Sequence, residues 1–239
     1  MHRAAYAALG LDWTYDAIEM TAEELPAFLA GLDDSWAGLS LTMPLKQAVL
    51  PLLASCSELA TSVAAANTVL LPARRGENTD VAGMVASLAE GGVTEVSRAV
   101  VLGGGATARS ALAALASLGC DDPVLVVRSS PDETMAAAKR LGVTPRVVAW
   151  SPAVVADCDL LISTLPAGAA DAFAPYVVDV PALLDVVYDP WPTPLATACR
   201  GRVVGGASML LHQAAAQVRL MTGRKPPLLA MGAALKHSG

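Results

Sequence analysis

Three observations predict an α/β fold built on a parallel sheet. From residue 99 onward, apolar strand-like runs near 99–102, 123–127, 146–149, 159–163, 183–187 and 202–204 alternate with helical stretches. That alternation is the pattern of a sheet covered by helices on both faces. The first run, Val100-Val101-Leu102, leads into Gly103-Gly104-Gly105-Ala106-Thr107-Ala108 and then a helical stretch, Arg109 to Leu118. Finally, hydrophobic residues are 54% of the 239 and charged residues 16%, a composition that builds cores rather than disorder.

Ahead of residue 91 a first α/β unit is expected. Arg3 to Leu9 reads as a helix and Trp13 to Ile18 as a strand. Thr21-Ala22-Glu23-Glu24 opens a helix, with Thr21 as N-cap and Glu24 at the reciprocal capping-box position. Ala37 to Thr42 reads as a strand, and Met43-Pro44-Leu45-Lys46 starts a helix with proline in its first turn. Ala64 to Leu71 is a further strand, Arg74-Arg75-Gly76-Glu77-Asn78 a turn, and Thr79 or Asp80 caps a helix running to about Ala89. Gly91-Gly92 is the expected hinge. Gly205-Gly206 precedes a long helix from Ser208 to Thr222, which Gly223 and Pro226-Pro227 stop. The reading is therefore two domains: residues 1–90 as an α/β substrate domain, and residues 91–205 as a Rossmann-like, doubly wound parallel-sheet domain. Helices from about 206 to 239 pack back on the first.

A net charge of −6 and a pI near 5.0 disfavour broad binding to nucleic acid or anionic membrane. Cys56, Cys120, Cys158 and Cys199 are widely spaced with no C-x-x-C, as expected of buried thiols in a reducing cytosol. With three histidines, His2, His212 and His237, a His-rich metal site is not expected. No basic-then-apolar leader is seen, and no apolar run reaches the roughly 18 residues of a spanning helix; a cytoplasmic location follows as an expectation.

The run Gly103 to Ala108 is G-x-G-x-x-A at a strand-to-helix turn, which can seat a pyrophosphate. Glycines let the backbone approach, and the helix N-terminus offers unpaired N–H groups and partial positive charge. By itself the motif also fits an ordinary Gly-rich βα turn. The next strand, Pro123 to Val127, ends at Arg128-Ser129-Ser130. An NAD site usually places Asp or Glu there for the ribose 2′-OH, whereas Arg suits the 2′-phosphate of NADP.

Five polar clusters interrupt the apolar chain: Ser40-Leu41-Thr42-Met43-Pro44-Leu45-Lys46, Ala65-Ala66-Asn67-Thr68-Val69, Asn78-Thr79-Asp80, Tyr188-Asp189-Pro190-Trp191-Pro192-Thr193-Pro194-Leu195 and Gly206-Ala207-Ser208-Met209-Leu210-Leu211-His212-Gln213. In this order around the glycine motif they closely resemble shikimate dehydrogenase over essentially the whole chain. That family reduces 3-dehydroshikimate to shikimate with NADPH, on the route to chorismate and the aromatic amino acids.

The resemblance implies Lys46 and Asp80 as the catalytic acid/base pair. It implies Thr42, Asn67, Tyr188 and Gln213 as substrate contacts. Cofactor contacts are implied from Gly103, Gly104, Gly105 and Ala106, from Arg128 and Ser129, and from Thr164, Val186, Gly206 and Met209. There is no metal. Ser40 replaces the asparagine of the family's N-V-T-x-P-x-K motif, and Pro131-Asp132 stands where a second arginine is common, so a weaker grip on the 2′-phosphate is expected. The family's first strand and its S-x-S loop, whose hydroxyls bind the shikimate carboxylate, have no counterpart between Met1 and the first helix. Weaker shikimate binding and unpaired backbone in the first sheet are the expectations from that difference.

On residue type alone, Lys46 reads as an exposed helix lysine, Asp80 as a helix N-cap, Asn67 as a turn residue and Gln213 as the polar side of an amphipathic helix. His212, about 100° around the helix from Gln213, and Trp191, between prolines, read as structural. The expected enzyme acts on a small molecule in a cleft between domains, as a monomer or homodimer, without nucleic acid or membrane partners. The rival expectations are a dehydrogenase of quinate or an aminoshikimate, and a non-catalytic NADP-binding protein.

Overall fold

The computed structural model describes residues 1–236, and His237 lies outside the described residues. The chain divides into two units: Met1–Gly83 together with the segment from Leu211 onward, and Met84–Leu210.

In the first unit, α1 (His2–Ala8) and α2 (Leu25–Ala30) precede β1 (Gly38–Ser40), α3 (Leu45–Ala48), β2 (Ser55–Cys56), α4 (Glu58–Val63), β3 (Thr68–Leu70) and β4 (Arg75–Glu77). The Thr21–Glu24 box forms. The Thr21 N–H donates to Glu24 Oε2 at 2.8 Å and the Glu24 N–H to Thr21 Oγ1 at 3.4 Å. The Thr21 backbone N–H first, and then the Thr21 hydroxyl, hold the Glu24 carboxyl below its usual range. The box closes the turn ahead of α2 instead of opening the helix itself.

The four strands order β1-β3-β4-β2. β3 is antiparallel to both its neighbours, and β4 runs parallel to β2. Three sequence expectations change here. Arg74–Asn78 is not simply a turn: Arg75–Glu77 is β4, because Gly76 is buried between two strands and a Cβ there would press on Leu53 and Cys56. The side chain that caps the helix starting at Asp80 belongs to Asn78, whose Oδ1 accepts from the Val81 N–H at 3.3 Å. Trp13–Ile18 is not a strand. Trp13–Asp16 and Ile18 line, with Gly38–Leu41, a cavity of about 740 Å³, and among the described residues no strand lies beside them to supply ladder hydrogen bonds. β1 is accordingly the open edge of its sheet. Its register with β3, Leu39 opposite Val69, and the Leu41 N–H bond to Asn67 O at 2.8 Å aim the N–H groups of Gly38 and Ser40 away from β3.

Leu25, Leu29, Leu39, Leu41, Leu45, Val49, Ala66 and Val69 form the core under this sheet. Each large aliphatic side chain there contributes roughly 1.5–3 kcal/mol by leaving water.

α5 (Asp80–Glu90) begins in the first unit and ends in the second, which continues with β5 (Ala99–Leu102), α6 (Ala106–Ser117), β6 (Val124–Val127), α7 (Asp132–Leu141), β7 (Arg146–Ala149), β8 (Leu160–Ser163), β9 (Ala182–Asp185), α8 (Pro194–Ala198) and β10 (Arg202–Gly205). All six expected strands are present. Their order is β10-β9-β8-β5-β6-β7, every pair parallel. β5, β8 and β9 are buried throughout, which is why they read as continuous apolar runs rather than alternating ones. The chain moves outward from β5 through β6 to β7, then returns to the other side at β8. Between β5 and β8 lies the topological switch point, where doubly wound sheets bind ligands beyond the carboxyl ends of the strands.

α9 (Gly206–Thr222) starts two residues earlier than its apolar pattern suggests and closes at Gly223, φ +67°. α10 (Leu228–Lys236) follows. Ala214, Ala215, Val218 and Met231 pack with Ala5 and Tyr6 in the first unit. Among the described residues no helix is long and apolar enough to cross a membrane.

Candidate active site

The first unit gathers one polar cluster. The chain leaves β1, turns through Thr42 and Pro44, and enters α3, which carries Lys46. The Lys46 Nζ donates to Asp80 Oδ2 at 2.7 Å, the two side chains being 17% and 6% exposed. A charge-assisted contact this short, largely shielded from water, is stronger than a surface ion pair.

Asn67 sits at the entry to β3. Its Oδ1 accepts from the Thr79 N–H at 2.8 Å and the Thr68 hydroxyl at 2.9 Å. A backbone N–H can only donate, so the oxygen is assigned, and the amide NH₂ turns the other way. There it reaches Asp80 Oδ1 at 2.8 Å, Thr79 Oγ1 at 2.9 Å and Gln213 Oε1 at 3.2 Å. Both Asp80 oxygens are thus occupied, one by a cation and one by a neutral donor. The ammonium keeps further protons to offer a ligand, because a lysine carries three.

A residue the sequence reading did not single out completes the cluster. Gln217, one helical turn beyond Gln213 and 1% exposed, donates from Nε2 to Asn67 O at 3.1 Å and to Thr68 Oγ1 at 3.0 Å. Its Oε1 accepts from Ser40 Oγ at 3.0 Å. A hydrogen-bonded chain therefore runs from Ser40 through Gln217, Thr68, Asn67 and Asp80 to Lys46. The i, i+4 spacing of two glutamines on one helix face was the available signal. Thr42 is exposed, and its carbonyl accepts from the Leu45 N–H at 2.8 Å; its hydroxyl is outside this chain of bonds.

The second unit holds the remaining expected residues. Gly103 has φ +114°, and a Cβ on it would collide with Thr164 Oγ1, so only glycine fits the exit from β5. The Thr164 hydroxyl donates to Leu102 O at 2.8 Å, and the Thr134 hydroxyl to Gly104 O at 2.6 Å, tying the loop down from two sides. Gly105, the N-cap of α6, faces open space and supplies no side-chain cap. The first N–H groups of α6 are left for an anion, with room for it to approach, and the arrangement fits a pyrophosphate. Arg109 in α6 is 1% exposed and pairs with Glu133 of α7 at 3.1 Å.

Arg128 follows β6 and is exposed together with Ser129. Val186 and Val187 follow β9. The Gly206 N–H donates to Val187 O at 3.2 Å, and a Cβ on Gly206 would strike Val186 O. Tyr188 is 57% exposed and Met209 is buried. The Trp191 ring lies against Gly205, a packing role. Asp185, at the end of β9 and 1% exposed, accepts from the Thr193 hydroxyl at 2.8 Å and anchors the loop that carries Tyr188. Burial pushes its carboxyl above the usual range.

Comparison with known proteins places this arrangement. Residues 1–69 match the shikimate dehydrogenase substrate binding domain, and residues 206–236 match the shikimate 5′-dehydrogenase C-terminal domain. The NADP(+) shikimate dehydrogenase of Moorella thermoacetica is 34% identical over 262 aligned positions, spanning 100% of this chain and 88% of that protein. The crystal structure of Mycobacterium tuberculosis shikimate dehydrogenase superposes with a TM-score of 0.89 at 42% identity, covering 99% of this chain and 92% of that one. Shikimate 5-dehydrogenase of Thermus thermophilus, in complex with NADP(H) and shikimate, gives a TM-score of 0.86 at 31% identity, covering 100% and 93%. With relatives of this identity matched along nearly their whole length, the chain belongs to the shikimate dehydrogenase family.

Proposed function

We propose that this chain catalyses the reversible reduction of 3-dehydroshikimate to shikimate with NADPH, a step toward chorismate and the aromatic amino acids. The observation that carries the reading is the buried Lys46–Asp80 pair, locked at 2.7 Å and braced by Asn67.

The Gly103–Gly105 loop, the α6 N-terminus and Arg128 would hold NADPH, which when bound would supply the hydride for the ketone carbon. As negative charge develops on the ketone oxygen, the Lys46 ammonium stabilises it and delivers a proton from Nζ. Asp80 fixes the ammonium and balances its charge. In the oxidising direction the Lys46 Nζ takes the proton back from the shikimate hydroxyl. Asn67 orients Asp80 from the other side with its NH₂, and the Gln213 amide stands beside the pair as a donor to ring hydroxyls. Thr42 and Tyr188 are further substrate contacts in this reading, with Ser129, Thr164, Val186, Gly206 and Met209 on the cofactor side. In this reading residues 1–90 with the closing helices from 206 are a substrate half, and residues 91–205 a cofactor half. The enzyme works in the cytoplasm as a monomer or homodimer, on a small molecule and without nucleic acid or membrane partners.

Steady-state assays of the purified chain with shikimate or quinate, each with NADP⁺ or NAD⁺, test this. The expected result is the highest kcat/KM for shikimate with NADP⁺. Quinate turnover exceeding shikimate turnover overturns the substrate assignment, and no turnover of either overturns the enzyme reading.

A further inference from the structure

Trp150 lies outside every motif of the sequence, and we propose that it is the positioning residue that makes Arg128 a preformed grip for the 2′-phosphate of NADP. The inference rests on the NADP reading above and names how this chain achieves that specificity.

The argument starts from strand register. β6 and β7 are parallel, with Val127 opposite Ala149. The next residue on each strand is therefore a neighbour at the carboxyl edge of the sheet, where doubly wound folds bind ligands. Those residues are Arg128 and Trp150. The Arg128 guanidinium carbon stands 3.8 Å above the centre of the Trp150 ring, within the range of an attractive cation–π contact, for which indole is the best partner. Trp150 is itself immobilised. It packs edge-to-face on Phe173, with centroids 4.7 Å apart and planes at 84°, and Phe173 is 0% exposed in the core of the second unit. The Arg128 NH2 also donates to Ala169 O at 3.3 Å. An arginine on a strand end ordinarily samples many rotamers, and ordering it opposes binding of a phosphate. Here one face of the guanidinium is fixed on indole and one N–H on a carbonyl, leaving its other in-plane N–H groups for an anion.

The local sequence makes this support consequential. Pro131-Asp132 follows Arg128, so the next side chains offer no second cation, and Asp132 opens α7 with a negative charge. Discrimination between the two cofactors then falls on a single guanidinium, whose placement depends on Trp150.

The test measures binding of two fragments, 2′,5′-ADP and 5′-AMP, by calorimetry, alongside KM for NADP⁺ and NAD⁺. Four proteins are compared: the parent, Arg128→Ala, Trp150→Leu and Trp150→Phe. Trp150→Leu is expected to weaken 2′,5′-ADP by about threefold to thirtyfold, the span of cation–π contributions, and to change 5′-AMP by less than about twofold. Trp150→Phe should recover part of the loss, because a smaller π-face remains over the guanidinium and the contact with Phe173 is kept. A general folding defect would lower both fragments together. If the parent binds both fragments equally, the NADP reading fails and this inference with it. If the parent discriminates and Trp150→Leu discriminates as well, the inference alone is overturned.

Discussion

Replacing Lys46 with methionine separates catalysis from stability at the buried pair. Asp80 is 6% exposed at its side chain and keeps only the Asn67 bond when the ammonium is gone. Breaking a buried ion pair by removing one partner costs roughly 3–5 kcal/mol. The 17% exposure of Lys46 and the surviving 2.8 Å amide bond bring the expected loss to about 2–3 kcal/mol, or a fall in Tm of roughly 5–10 °C for a chain of this size. The expected fall in kcat is on the order of 10²–10⁴-fold, the contribution of a positioned acid/base. NADP⁺ binding should stay within about twofold, because the loop that seats it belongs to the other unit. The double variant Lys46→Met with Asp80→Asn removes the orphaned charge. It should recover most of the lost stability while kcat remains low. Calorimetric melting and initial-rate measurements on the parent, the single and the double read both quantities. A single variant keeping kcat within tenfold of the parent refutes the proton-transfer role. A double variant no more stable than the single refutes the buried-charge argument.

Gly103→Ala forces a side chain into φ +114° and onto Thr164; NADPH binding followed by fluorescence should weaken at least tenfold, and an unchanged affinity would remove this loop from the cofactor site. Gln217→Leu takes the acceptor from the Ser40 hydroxyl and a donor from Thr68 Oγ1 and Asn67 O, so urea titration should show a loss of about 1–3 kcal/mol, with KM for shikimate rising more than KM for NADP⁺; equal rises would mean a purely structural role. His2 is held neutral, its pKa lowered to about 4 from 6.5 by burial first, then by the nearby α-amino group, with Gln217 offsetting in part. The unfolded chain therefore takes up a proton that the folded chain refuses. Stability is full above pH 6.5 and falls as pH drops toward 4, by about 3 kcal/mol. Urea midpoints of the parent and His2→Phe across that window check it, and a parent midpoint that does not move between the two limits contradicts it.

The second unit was legible almost strand for strand because its sheet is parallel and covered on both faces. β5, β8 and β9 are buried at every position, and the turns between them carry glycine or proline. The first unit resisted because its strands are short and owe their existence to distant partners. Arg75–Glu77 has the composition of a turn, yet β2 and β3 on either side make it a strand. Trp13–Ile18 has the composition of a strand and lacks a neighbour to pair with. Lys46, Asp80, Asn67 and Gln213 were legible only as members of an ordered set of motifs, since each alone passes for an ordinary surface or capping residue. Gln217 offered only its i, i+4 spacing from Gln213, and Trp150, a tryptophan after a strand, offered no local signature; their partners lie 150 and 22 residues away along the chain.

The open side of β1 should leave a signature in amide exchange. The Leu41 amide, bonded to Asn67 O, and the Leu39 amide, opposite Val69, face β3 and are shielded from deuterium. The Gly38 and Ser40 amides, on either side of Leu39, face the cavity beside Trp13 and Tyr15 and exchange freely with water. One three-residue strand thus alternates fast and slow, residue by residue, as a comb of period two. Any extended chain that seats itself in that cavity is registered at once, by the slowing of those two amides and of no others in the strand.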